Sequence, residues 1–140
     1  METGRWATLA MLLAGAGTMA GCSTVGADDV FAEEQVRSDA LPRVESVVLE
    51  SLDPTSSRYL GEAAGSRWWA VRNAGDEFCV LSQPVDGDLD EMMSGCGPGD
   101  GDTLTISRSG GPTAAWSSVE DPPVPDGSVL LRSHLVVTPR

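Results

Sequence analysis

The residues able to carry out chemistry are few. Asp86, Asp88 and Asp90 fall at alternate positions, the spacing at which oxygen ligands follow one another in calcium loops, and Asp100 and Asp102 lie past Cys96. The match to the helix-loop-helix calcium motif then fails. That motif takes glycine at its sixth position and glutamate at its twelfth, where this chain has Glu91 and Gly97. The expectation is a solvated acidic loop with no metal and no cofactor; a weak calcium site at Asp86, Asp88 and Asp90 is the alternative. His134 is the one histidine, which excludes a multi-histidine zinc site and leaves any imidazole catalysis to it alone. It shares a face of an apolar segment with Arg132, so a solvated or edge position is expected. No Gly-x-Ser-x-Gly nucleophile sequence accompanies it. A glycosidase needs only two carboxylates, which an acidic chain always supplies, and nothing in the sequence selects a pair. No catalytic residue is expected.

Tyr59, Trp68, Trp69 and Trp116 can either fill a core or form a platform for sugar rings, and aromatic residues dominate small β cores because each buries a large area. If Arg67 to Arg72 is extended, Trp68 and Trp69 point to opposite faces. Trp69 with Val71 is assigned to the core. Trp68, and with it Tyr59, is the candidate ligand-binding surface.

The elements that must position these side chains are mainly strands. From Ser57 onward short segments alternate with turn chemistry: Arg58 to Gly61, a Gly65-Ser66 turn, Arg67 to Arg72, a turn at Asn73 to Asp76, and Glu77 to Ser82. Thr103 to Ser107 alternates as a half-buried strand, with Leu104 and Ile106 on one side, and a weaker strand runs from Thr113 to Ser117. Val129 to Val137 reads as the longest strand, approached through a rigid turn at Pro122 to Gly127. The fold class is a small antiparallel sheet or meander of five to six short strands. Leu41, Val44, Val47, Val48 and Leu52 are spaced nearly as one helical face ahead of Pro54, which predicts one short helix; Val47 to Leu49 can equally begin a strand.

The opening segment sets the address. Trp6 to Gly21 carries no charge and is about 16 residues long, shorter than the roughly 18 to 20 of a comfortable membrane span and matched to a signal-peptide core. It ends in Met19-Ala20-Gly21-Cys22, which resembles the processing box of a bacterial lipoprotein, although that pattern prefers an aliphatic residue where Met19 stands. The resemblance implies removal of residues 1–21 and lipidation of Cys22, whose two or three acyl chains hold a protein stably at a bilayer. An uncleaved signal anchor and a plain secretory signal are the alternatives; all three export the chain. Export leaves Cys79 and Cys96 as an even pair in an oxidising compartment, where a disulfide is expected; metal binding and redox chemistry are weaker readings. Residues 22–42, with Asp28, Asp29, Glu33, Glu34 and Asp39, read as an acidic flexible tether, and residues 43–140 as one disulfide-bonded β domain.

A formal net charge of −12 argues against nucleic acid and anionic lipid as partners, since either repels the chain at long range. Ser57 to Glu62, Trp68-Trp69, Phe78 to Leu81, Gly95-Cys96 and Pro125-Asp126-Gly127 together resemble small exported proteins common in actinobacteria, over about residues 53–137. That resemblance implies a small β domain on a lipid tether and carries no activity. The expected function is a non-catalytic, lipid-anchored domain on the extracytoplasmic face of the cell membrane, binding a protein or envelope component. A glycan- or calcium-binding module and an envelope-acting hydrolase are the alternatives.

Overall fold

The structure, a computed structural model, describes residues 28–97, 103–119 and 121–140. Turn chemistry organises the first sheet. Ala64 and Gly65 both take positive φ (52° and 71°), the pair of left-handed residues that a tight hairpin with native twist requires. They fold β1 (Leu52–Ala63) back on β2 (Ser66–Asn73). Asn73 closes the next turn with its own side chain, its Oδ1 accepting from the backbone N–H groups of Gly75 and Glu77 at 2.9 Å each. The chain then returns as β3 (Phe78–Pro84) and, after a 3-10 turn at Leu89–Glu91, as β4 (Met93–Gly97). These four strands form an antiparallel meander.

The second sheet has the order β5-β6-β8-β7, from β5 (Thr103–Ser107), β6 (Thr113–Ser117), β7 (Val129–Leu131) and β8 (Leu135–Thr138). The chain passes from β6 to the outer position as β7 and comes back as β8 between the two. One expectation is corrected here, because Val129 to Val137 is a hairpin and not one long strand. Arg132 and Ser133 take φ of 48° and 61° at its tip, and His134 N donates to the Leu131 carbonyl at 3.2 Å. Neither residue type favours that conformation, so the turn carries no sequence signal.

The fold is thus mainly β, as the segment pattern predicts, with eight strands in two sheets among the described residues where five or six in one sheet were expected. The strand that sequence reading misses is β4. Its glycines hide it, and the packing demands one of them: a Cβ on Gly95 would collide with Ile106 Cγ2 on β5. At the other seam, Gly61 (φ 140°) lets β1 approach β7, since a Cβ there would lie 3.0 Å from Leu131 Cδ2. The sheets face each other across Leu60, Trp68, Phe78, Val80, Ile106, Trp116, Leu135 and Val137.

The outer face of the first sheet is buried too. Leu52, Trp69, Val71, Cys79, Leu81 and Met92 form a second apolar cluster, roofed by Leu41, Val44, Val48, Leu49 and Tyr59. Apart from Tyr59 on β1, the roof comes from residues 41–52, in which the predicted helix is a single turn, α2 (Val47–Glu50), capped by Ser46 Oγ accepting from Val48 N at 3.3 Å. The segment before it is docked as well, which corrects the expected tether. In α1 (Asp28–Ala32), Phe31 packs edge-on against Phe78 with ring centroids 6.0 Å apart, under the guanidinium of Arg72 at 4.6 Å. The remainder of the expected tether, residues 22–27, lies outside the described residues.

Two ends follow from the register. One carries α1, the β2–β3 turn and the β7–β8 turn, joined by an ion pair from Arg132 Nη1 to Glu33 Oε2 at 3.0 Å. The other carries the β1–β2 turn, the acidic connection from Val85 to Met92, and the β5–β6 turn. We refer to them as the α1 end and the distal end.

Candidate functional site

The disulfide forms between residues that are direct cross-strand partners. Cys79 on β3 and Cys96 on β4 sit opposite each other with Cα atoms 4.0 Å apart, and the bond ties the glycine-rich edge strand to the sheet. Cys79 is fully buried and Cys96 exposed. Cys22 lies outside the described residues.

Trp68 is not a surface residue, and the expectation that it presents a ligand-binding face is corrected. It has no exposed area, its ring lies between the sheets, and its Nε1 donates to the Ala63 carbonyl at 3.0 Å. Strand alternation does send Trp68 and Trp69 to opposite faces, but both faces are covered. Trp69 packs with Val71 as expected, in the outer cluster, against Tyr59 at 5.4 Å between centroids. Tyr59 is thereby half-buried as roof to an indole and offers no free platform.

His134 also departs from expectation, being buried and not solvated. Its ring stacks on Trp116 with centroids 5.0 Å apart, and Nδ1–H donates to the Ser117 carbonyl at 2.9 Å. The hairpin tip explains this, since a turn at Arg132-Ser133 swings the next side chain back against β6. Asp86, Asp88 and Asp90 are exposed in the distal connection, and among the described residues no group of three or more His, Cys, Asp or Glu side chains is placed to hold a metal ion.

The polar cluster that the structure does assemble joins residues distant in the sequence. Asp39 is 2% exposed; its Oδ1 accepts from Tyr59 N and its Oδ2 from Val36 N, each at 2.8 Å. Ser57 Oγ donates to the Asp39 carbonyl at 2.6 Å and accepts from Gln35 Nε2 at 2.9 Å. Arg58 is buried with no carboxylate partner among the described residues: Nε and Nη2 donate to the Glu33 carbonyl at 3.0 and 2.6 Å, and Nη1 to the Ser57 carbonyl at 2.9 Å. A guanidinium presents five donors in a fixed fork, so one side chain can pair several backbone oxygens at once. All of this occurs where β1 loses register with β2, between Asp53 and Arg58, at the irregularity that admits Pro54 into a strand. The cluster is a latch fastening residues 28–42 to β1. Asp39 and Gln35 fall in the stretch that composition marks as a spacer, so nothing in the sequence points to them.

Two shallow grooves flank the roof. One of about 420 Å³ is lined by Gln35, Leu41, Pro42, Val44, Leu49 and Pro54. The other, about 340 Å³, lies between Val47 and Val48 of α2 and Leu89, Asp90 and Met92 of the distal connection, with Glu45 at its rim. Val47 is 80% exposed and Leu89 41%. No helix among the described residues is long and apolar enough to cross a membrane. Compared with known proteins, the chain matches no protein-family model, none of the curated proteins and none of the solved structures.

Proposed function

We propose that this protein is a lipid-anchored domain on the extracytoplasmic face of the membrane that acts by binding a protein partner and not by turnover. The observation that carries the reading is the Cys79–Cys96 disulfide. It suits an oxidising compartment, and it uses two of three cysteines, leaving Cys22 as the odd one directly behind an apolar leader. The binding reading is supported by the occupation of the chemistry-bearing side chains: Asp39, Ser57 and Arg58 hold backbone in the latch, and His134 is committed to Trp116 and Ser117.

The contact surface we assign is the groove between α2 and the distal connection. Val47 and Leu89 expose apolar area there amid Glu45 and Asp90, so the fitting partner presents an apolar side chain flanked by basic groups. A photo-crosslinker at Leu89 on intact cells should give a discrete adduct that high salt weakens and Val47→Asp abolishes. An undiminished adduct in Val47→Asp protein, or the same adduct from a crosslinker at Val119, would overturn the assignment. Anchoring is read separately: the Cys22→Ala protein should lose both fatty-acid labelling and retention in the membrane fraction.

A further inference from the structure

The docking of residues 28–42 has a consequence for how the domain stands on a membrane, and this rests on the anchoring reading above. If lipid is attached at Cys22, only residues 22–27 separate the bilayer from the first residue of α1. Six residues reach at most roughly 20 Å, whatever their conformation. The body they tether is longer than that. The eight residues of β2 run between the β1–β2 and β2–β3 turns, and at about 3.3 Å per residue they span roughly 26 Å.

The attachment point lies at one end of that length. Phe31 packs on the first residue of β3 and under Arg72, the penultimate residue of β2, and Glu33 pairs with the tip of the β7–β8 hairpin. The latch keeps it there: Arg58 holds the Glu33 carbonyl, and Asp39 holds two backbone N–H groups. An inverted domain would place α1 a full strand length above the bilayer, beyond the reach of six residues. A tilted domain still keeps the α1 end nearer the lipid.

We infer that the α1 end, with the Asn73–Asp76 turn, faces the lipid headgroups, and that the distal end, with the Ala64-Gly65 turn and the Leu89 groove, is held away from the membrane toward partners. The charge-free sequence of residues 22–27 suits a segment lying close to a headgroup layer, whereas a longer acidic tether would have left orientation free.

The test uses the absence of lysine from the chain, whose nine basic residues are all arginine. Ala74→Lys and Ala64→Lys each place one reactive amine on an exposed alanine, in the β2–β3 and β1–β2 turns. Mature lipidated protein carrying an amine-linked fluorophore is inserted in phosphatidylcholine and phosphatidylglycerol vesicles containing a headgroup nitroxide lipid, with the lysine-free protein giving the background from the α-amine. Quenching should be several-fold greater at Ala74→Lys than at Ala64→Lys. Inserting a 20-residue Gly/Ser spacer after Ala27 should bring the two values together. Equal quenching, or greater quenching at Ala64→Lys, in protein whose Cys22 is shown by mass to carry lipid would overturn the orientation alone. An unlipidated Cys22 in the mature protein would overturn the anchoring reading and the orientation with it.

Discussion

The two sheets of this molecule treat their outer faces differently. In the second sheet β5 and β6 turn one face to the core and the other to water: Ile106, Ala114 and Trp116 point in, while Thr103, Thr105, Ser107 and Thr113 point out, and β8, with Val136 8% exposed, is the exception. In the first sheet both faces are covered, one by the opposing sheet and one by residues 41–52, so β2 and β3 are buried nearly without a break. The inner cover is made of strands closed by long-range pairing. The outer cover is a short irregular segment packed on an apolar cluster, and the polar latch at Asp39 fastens the chain just before it. The expectation is that the inner cover is lost only by unfolding and that the outer cover can lift locally.

The largest effect should separate those two faces through their indoles. Trp68→Ala removes a ring from between the sheets and is expected to cost roughly 3 to 5 kcal/mol, enough to unfold a domain of this size. Trp69→Ala should cost less, because the roof can settle into the space. The conservative pair sharpens the contrast. Trp68→Phe removes a buried hydrogen bond to the Ala63 carbonyl, whereas Trp69→Phe removes an Nε1–H that has no partner among the described residues, so the first should cost about 1 kcal/mol more than the second in chemical denaturation.

Next in size is the disulfide, on the covered outer face. Closing the loop between residues 17 apart contributes about 3 kcal/mol in chain-entropy terms, and Cys79→Ser with Cys96→Ser should lower stability by that order. Its kinetics should report burial. A thiolate attacking the sulfur of Cys96, the exposed residue of the pair, must expel the Cys79 thiolate into an apolar cluster, which disfavours that leaving group. Reduction by a small thiol, followed by mass, should therefore track opening of the domain and accelerate in low denaturant. Fast reduction of fully folded protein would break this account.

The latch tests whether the outer cover is a local unit. Asp39→Ala leaves the N–H groups of Tyr59 and Val36 without their acceptor, a loss of about 2 to 3 kcal/mol, since each buried donor left unpaired costs about 1 to 3 kcal/mol. Amide exchange should rise across residues 28–52 and stay slow in β6 and β8. Uniform acceleration in both sheets would mean that the cover and the sandwich are one cooperative unit.

What the sequence makes legible divides along the same line. Thr103–Ser107 and Thr113–Ser117 are read with their observed bounds because one-sided burial writes itself as alternation. Trp68-Trp69-Ala70-Val71 and Phe78 to Leu81 are runs, and a run signals a strand buried on both faces; treating the first as alternating is what sent Trp68 to the surface. The Asp39, Ser57 and Arg58 latch is not legible, since its partners are backbone groups brought together by the irregularity in β1. The disulfide is legible from cysteine parity alone, and its cross-strand geometry is not.

The hairpin at Arg132-Ser133 offers a gain of stability on the sheet that faces water. An L-residue in the left-handed region costs about 1 to 2 kcal/mol relative to glycine's freedom there, offset by the larger entropy of an unfolded glycine, so Ser133→Gly should raise stability by about 0.5 to 1 kcal/mol. Its backbone carbonyl still accepts from Asp121 N, at 2.8 Å in the parent, so that contact survives the substitution.

The smallest effect expected is electrostatic and sits where the outer cover runs into β1. Asp53, at the start of β1, has its carboxyl pKa lowered by hydrogen bonds from the Thr55 hydroxyl at 2.7 Å and the Thr55 backbone N–H at 2.9 Å. A depressed folded-state pKa stabilises the fold above the unfolded value of about 3.9, and that contribution disappears as pH falls through the folded value. Stability measured from pH 6 down to pH 2 should therefore decline less steeply in Asp53→Asn than in the parent, with the two indistinguishable in slope above about pH 5. Thr55→Val should reproduce most of that change, because it removes the hydroxyl donor that contributes most to the lowering and leaves the backbone donor in place. If Asp53→Asn instead accelerates exchange across residues 28–52 at pH 7, the Asp53 turn belongs to the latch, and the liftable outer cover extends past Leu52 into β1.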